Sequence, residues 1–230
     1  MQAIGIKTAC NPRQKRGQAP LPTTSVPVST KDIQAITCFT PGTGIATLNG
    51  LKAVEKLAVG DKVLTRDRGF QPVRWLGQRH FRCSTISPGP NTLPVLIRAD
   101  ALGPGCPARD IIVSPRHRLL TTDKTILSDL GETEALVEAS ALVGRPGVMC
   151  VVPHFLTYIH VLFDEHEVIL SDNLWSESFH LGRPTLTALL KEHKPAIQDI
   201  FPQLAKAPLT PPQALARLCL TSENVQAQYA

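Results

Sequence analysis

The sequence predicts a mainly β protein with a short helical end, on three observations. Aromatic residues make up 5% of the chain, which carries 20 prolines and 15 glycines. The apolar residues are mostly Val, Leu, Ile and Ala in short runs that stop at Gly, Pro, Asn or Asp, the texture of many short strands and turns. Beyond Gly182 the apolar spacing lengthens to three or four, the period of a helix. At 230 residues and 43% hydrophobic, the chain can bury one substantial core but not two large domains.

The elements follow in chain order. Residues 11–30, NPRQKRGQAPLPTTSVPVST, are polar, basic and proline-rich without a period of 2 or 3.6, so residues 1–37 read as a disordered arm. The texture changes at Cys38: a turn, a short strand, an Asn49-Gly50 hairpin turn, a second strand and a third in VEKLAVGDKVLTRD. Further strands are predicted at Gln71–Arg82, Leu93–Arg98, Asp110–Leu120, Gly147–Val152, Thr157–Phe163 and Glu167–Ser171, with one short helix over 133–144. In the tail, 181–230, Leu186, Leu189, Leu190, Ile197, Ile200 and Leu204 keep helical spacing, cut into pieces by Pro195, Pro202 and Pro208.

Charge and cysteine usage exclude several classes. The net charge of +5 sits at the ends: +4 in residues 1–37, −1 in 38–180 and +2 in 181–230. A nucleic-acid groove on the folded centre is therefore not expected. The six cysteines show no C-x-x-C spacing, which argues against a zinc knuckle or disulfide framework and for a reducing compartment. No window reaches the ~20 apolar residues of a membrane span, and residues 1–30 lack the apolar core of a secretory signal. His154, His160 and His166 recur every six residues, but an Asp164-Glu165 turn separates the last from the others, so neither a metal nor a cofactor is expected.

Three stretches carry chemistry. Cys38-Phe39-Thr40-Pro41-Gly42-Thr43 follows the arm and opens a strand, with GDKVLTRD about twenty residues on. Ser114-Pro115-Arg116-His117 interrupts the apolar run IIV…RLL and so marks a bend between strand segments. Residues 158–170, YIHVLFDEHEVIL, read as two strands around a tight turn, followed by NLWSESFHLG. Period 2 sets His160 and Leu162 on one face, and Ile159, Val161 and Phe163 on the other. A histidine on the face away from the core is usually polar surface.

Together these stretches resemble the Hint superfamily of Hedgehog C-terminal domains and inteins, in its bacterial branch, over about Cys38 to His180. The resemblance implies an all-β, pseudo-twofold horseshoe in which the sulfur of Cys38 attacks the carbonyl of Thr37. The amide is a poor electrophile, so the thiol must be held at near-attack distance, the oxyanion stabilised and the departing nitrogen protonated. Ser114 and His117 match the family's T-x-x-H, with serine for threonine. The implied general acid is His117, for which a pKa near 6–7 would suit the task. His160, or else His166, is a secondary candidate, and Asp110 or Asp100 is a weaker candidate for the acid that assists the thiol.

Splicing would need a terminal asparagine followed by Cys, Ser or Thr, and Asn173 is followed by Leu174 and reads as a turn residue. The expected activity is cleavage in cis at Thr37–Cys38, with the chain's own N-terminal segment as substrate and the thioester resolved by water or another nucleophile. An inactive Hint-fold module for interaction or secretion is the alternative. A cysteine peptidase acting in trans with Cys38 and His117 fits less well, because a strand follows the cysteine where that class has a helix N-terminus. The expected setting is a soluble protein of the bacterial cytoplasm, or one exported without a signal peptide.

Overall fold

The computed structural model describes residues 37–82, 92–182, 186–187, 197–199 and 213–226. Most of the arm and much of the tail, including Pro195, Pro202 and Pro208, lie outside the described residues. The architecture is all-β, as the sequence predicts, with fourteen named strands and two short helices among the described residues.

A turn built from Thr40-Pro41-Gly42-Thr43 opens the fold: Pro41 presets φ, Gly42 takes φ +89°, and the Thr43 N–H returns to the Thr40 carbonyl. β1 (Gly44–Thr47) and β2 (Gly50–Ala53) then form a hairpin whose closing pair is Thr47 with Gly50. The loop residues are therefore Leu48 and Asn49, one position before the expected Asn49-Gly50. Gly50 instead takes the left-handed conformation, φ +94°, that reverses the strand. β3 (Lys62–Thr65), β4 (Gly69–Pro72), β12 (Val168–Ser171) and β13 (Leu174–Glu177) extend this sheet. Asp172 and Asn173, both at positive φ, make the two-residue turn between β12 and β13.

On the far side of β13 come β8 (Arg118–Thr121), β9 (Ala135–Glu138) and β14 (Cys219–Leu220), giving the order β14-β9-β8-β13-β12-β1-β3-β4 with β2 on β1. Two smaller units complete the molecule. β10 (Val148–Cys150), β6 (Val95–Ile97) and β7 (Ile111–Val113) form one sheet, and the eight-residue strands β5 (Trp75–Arg82) and β11 (Phe155–Leu162) form a ribbon. The two short helices are α1 (Lys124–Leu127) and α2 (Ser222–Gln226).

Two segments depart from expectation. The predicted helix over 133–144 is instead β9 and a 3-10 turn, Ala139–Leu142. All four β9 residues are buried between β8 and β14, where a strand satisfies its backbone groups through the neighbours on both sides. The tail is more than helical: β14 joins the large sheet as a parallel strand, Leu220 and Val225 are buried in the main core, and the Gln213 side chain bridges Leu181 N–H and Phe163 C=O. Leu186 and Ile197, both in helical backbone, are buried with Trp75, Leu162, Phe179 and Leu181. That cluster covers the face of β11 carrying His160, whereas Ile159, Val161 and Phe163 pack on Ile45 and Val63 opposite. Both faces of β11 are thus covered from Tyr158 to Leu162. Among the described residues no helix is long and apolar enough to cross a membrane.

Candidate active site

Cys38 sits at a seam. The next residue, Phe39, exchanges backbone hydrogen bonds with Ile159 of β11 at 3.0 and 2.9 Å and also bridges to Val113 of β7, so it ties the ribbon to the three-stranded sheet. Cys38 is clamped in turn by one residue at the end of β7. The Ser114 N–H donates to the Cys38 carbonyl at 3.1 Å, and the Cys38 N–H donates to Ser114 Oγ at 3.0 Å. The nitrogen of the Thr37–Cys38 bond is thereby held by a hydroxyl. Cys38 is 1% exposed, and burial raises its thiol pKa well above the usual value against the opposing influences of Ser114 and Arg79. The resting sulfur is therefore a thiol and needs a base to become a nucleophile.

His160 brings a ring nitrogen to both the Cys38 sulfur and the Thr37 carbonyl. Its Nδ1 lies 3.5 Å from Cys38 Sγ and 3.0 Å from the Thr37 carbonyl oxygen. With its hydrogen on Nε2 the ring can accept the thiol proton at Nδ1, and with hydrogen on Nδ1 it can donate to the Thr37 carbonyl. The ring is 4% exposed, tilted on Phe179 at 4.5 Å and nearly parallel to Trp75 at 6.3 Å. Opposite it across the ribbon is Gly77, where a Cβ would stand 2.1 Å from the Trp75 ring. The missing side chain at 77 is what lets the tryptophan lie beside His160.

The Ser114–His117 bend is a β-turn closed by the His117 N–H on the Ser114 carbonyl at 3.0 Å, with Pro115 at its second position. The segment expected to be helical clamps it: Ala139 N–H donates to the His117 carbonyl and Ser140 N–H to the Pro115 carbonyl, each at 2.9 Å. His117 is 0% exposed, with its ring edge-on to Phe39 at 4.4 Å, and neither ring nitrogen has a hydrogen-bond partner among the described residues. Burial lowers its pKa to about 4, against the pull of Glu177. The pKa near 6–7 anticipated for an acid is not what this site gives: His117 rests neutral.

Glu177, at the end of β13, was not singled out in the sequence. Its carboxylate is fully buried and fully engaged. Oε1 accepts from Thr37 Oγ1 at 2.9 Å and from Arg118 N–H at 2.9 Å, while Oε2 accepts from Arg118 Nη1 at 3.0 Å and faces His166 Nε2 at 3.2 Å. Burial alone would raise its pKa, but His166, Arg118 and His117 together bring it down to about 2. It is an anion at neutral pH. A signal existed in Trp175-Ser176-Glu177-Ser178-Phe179, where period 2 sets the acid on the side of two aromatics. His166 belongs to this network, its Nδ1 accepting from Ala216 N–H at 3.2 Å.

Asp110 and Asp100 lie elsewhere. Both are exposed on the connection between β6 and β7, where Asp110 accepts from Ala99 N–H and Asp100 from Gly105 N–H. They brace a loop. His154 is exposed, and among the described residues no group of three or more His, Cys, Asp or Glu side chains is placed to hold a metal ion.

Comparisons with known proteins bear on the same stretch. No curated protein matches the chain. Solved structures similar to it include the gp41-1 intein, at 14% identity and a TM-score of 0.36 over 61% of this chain and 97% of that one. The AceL NrdHF class 3 split intein is 12% identical, with a TM-score of 0.41 over 62% and 97% of the two chains. A bacterial intein-like domain from Clostridium thermocellum is 20% identical, with a TM-score of 0.39 over 62% and 98%. The Hint domain family matches residues 37–183, which is more than half of the chain. That match opens on Thr37, whose carbonyl His160 touches, and closes just beyond Leu181 of the cluster that covers His160: the chain belongs to the Hint domain family.

Proposed function

We propose that this Hint domain cleaves its own chain at the Thr37–Cys38 bond. The observation that carries the proposal is the position of one nitrogen, His160 Nδ1, within reach of both the thiol and the carbonyl it would attack. His160 takes the proton from Cys38 Sγ as the sulfur bonds to the Thr37 carbonyl carbon. The same Nδ1–H then faces the carbonyl oxygen as that oxygen gains negative charge, where a hydrogen bond stabilises the tetrahedral intermediate. Collapse breaks the C–N bond, and the electron pair goes to Cys38 N, which takes a proton and becomes a free amine. The product is a thioester between Thr37 and Cys38.

Ser114 holds the departing nitrogen throughout, and His117 is the proposed donor of its proton. His117 rests neutral and must first take up a proton from solvent; with a pKa of about 4 its protonated form is then a strong acid, which returns to the neutral ring on giving that proton to the amine. Water or another nucleophile then attacks the thioester, the C–S bond breaks, and the thiol is restored. The products are residues 1–37 and residues 38–230. No ligation follows, because Asn173 stands in the β12–β13 turn ahead of Leu174.

Intact mass spectrometry of the purified full-length chain, with and without dithiothreitol or hydroxylamine, tests this. Wild type is expected to lose residues 1–37, and Cys38→Ala to keep full mass. A wild-type chain that keeps full mass under both reagents identifies the inert module instead.

A further inference from the structure

The proposed mechanism explains contacts to the Thr37 carbonyl and the Cys38 nitrogen, but not the contact to the Thr37 side chain. That side chain is held: its hydroxyl donates to Glu177 Oε1 at 2.9 Å. The acceptor is an unusual one to find at a cleavage junction. It is a carboxylate of 0% exposure, fixed on three further sides by the backbone and guanidinium of Arg118 and the ring of His166. An anion so enclosed cannot swing away to suit a different neighbour. His166 is itself fixed from behind by Ala216 N–H, a contact made by the tail.

From this arrangement we infer that Glu177 forms a subsite for the residue before the scissile bond, which accepts a short side chain bearing a hydroxyl and rejects an apolar isostere or an acid. The inference rests on the cleavage reading of the same junction and adds its substrate class. Valine at 37 matches threonine in shape but removes the donor, leaving a dry carboxylate oxygen with one partner fewer. Aspartate or glutamate at 37 would set a second carboxylate against the first, which a low-dielectric site penalises heavily. Serine retains the donor. The subsite also bears on release: after hydrolysis Thr37 carries an α-carboxylate next to a side chain bound to an anion, so the departing peptide is repelled rather than retained.

Glu177 acts here through the substrate side chain, as a positioning residue, so the test is a pattern and not one loss of rate. Hydroxylamine-induced cleavage is followed by intact mass for full-length wild type, Thr37→Val, Thr37→Ser and Thr37→Asp, each alone and with Glu177→Gln. The expected result is a loss of about tenfold or more in Thr37→Val, recovery of most of that rate in Thr37→Ser, and the slowest cleavage in Thr37→Asp. With Glu177→Gln the difference between threonine and valine should shrink to less than about threefold, the hydrogen bond having lost its charged partner. Thr37→Val cleaving within threefold of wild type overturns the inference, and the Thr37 series decides alone if Glu177→Gln fails to fold. If wild type does not cleave, the autoprocessing reading fails, and the subsite is then judged from thermal midpoints in the Cys38→Ala background. Coupled effects of Thr37→Val and Glu177→Gln there support it, and additive effects overturn it.

Discussion

Two buried histidines touch the segment Thr37–Phe39 and live in opposite conditions, His160 at the Thr37 carbonyl and the Cys38 sulfur, His117 at the Phe39 ring. His160, on the β5–β11 ribbon, is hydrogen-bonded to the junction and forms a three-ring cluster with Phe179 and Trp75. His117, on the turn between β7 and β8, is equally buried, yet among the described residues neither of its ring nitrogens has a hydrogen-bond partner. A buried polar group without a partner costs stability, so its persistence calls for an explanation. The contrast assigns different moments to the two rings. In the proposed cleavage His160 touches the Thr37 carbonyl from the start, whereas His117 would act only once a basic nitrogen forms beside Ser114.

The largest expected effect separates these moments. His160→Ala should lower cleavage by about 10²–10⁴-fold at every pH, the usual range for losing a general base. His117→Ala should also be slow but should change the shape of the pH profile. Its protonated form gains up to about tenfold in population per pH unit as pH falls toward its pKa of about 4. Wild type should therefore accelerate between pH 8 and 6, and His117→Ala should stay flat. Rates from stopped digests read by intact mass decide it, and a wild-type profile parallel to that of His117→Ala removes the acid role.

The next effect probes what holds His160. Gly77→Leu places a side chain where the Trp75 ring lies, displacing the ring from the histidine. About tenfold slower cleavage is expected, because small misplacements of a reacting group are costly. The defect should exceed that of Gln78→Leu one residue along the same strand.

A smaller effect appears in stability. In the unfolded chain His117 titrates near 6.5 and in the folded protein near 4, so below pH 6.5 the unfolded state binds a proton the folded state does not. The contribution is complete above pH 6.5 and is lost as pH falls toward 4, about 3 kcal/mol across the window. His180, also lowered to about 4, adds in the same direction. Glu177, lowered to about 2 from 4.5, extends the loss below pH 4.5. Urea midpoints at pH 7.5 and 5.0 should fall steeply for wild type and less for His117→Phe.

The sequence points to both rings, to His117 through the Ser114–His117 bend and to His160 through the hairpin, and their different surroundings have a physical reason. The bend at Ser114-Pro115-Arg116-His117 was legible because a proline between apolar runs announces a turn. The face of His160 was legible too, since period 2 separates it from Ile159 and Val161. Its burial was not, because the residues that cover it, Trp75, Phe179, Leu186 and Ile197, come from separate segments that no local pattern connects. Glu177 was hidden for the same cause: Arg118, His166 and Thr37 meet it only across the folded sheet. The strand β14 escaped because two residues are too few to carry a period, and β9 because TEALVEASALVG has helix-forming composition that its neighbours β8 and β14 override.

The smallest expected effect is at Asp110, the acid that the family resemblance suggested near the thiol. An acid assisting Cys38 would need a path to the sulfur or to His160. Asp110 instead spends Oδ1 on Ala99 N–H at 2.9 Å and stands 4.0 Å from Arg98, on an exposed loop. The position beside the junction is already filled by Glu177, on a different strand. Asp110→Asn keeps an oxygen for Ala99 and removes only the charge, so its cleavage rate should lie within about twofold of wild type and its stability within about 0.5 kcal/mol. A loss of tenfold or more in Asp110→Asn, with an unchanged thermal midpoint, would mean that the β6–β7 loop closes over Cys38 during the reaction, and the division of labour between His160 and His117 would then have to admit a third group.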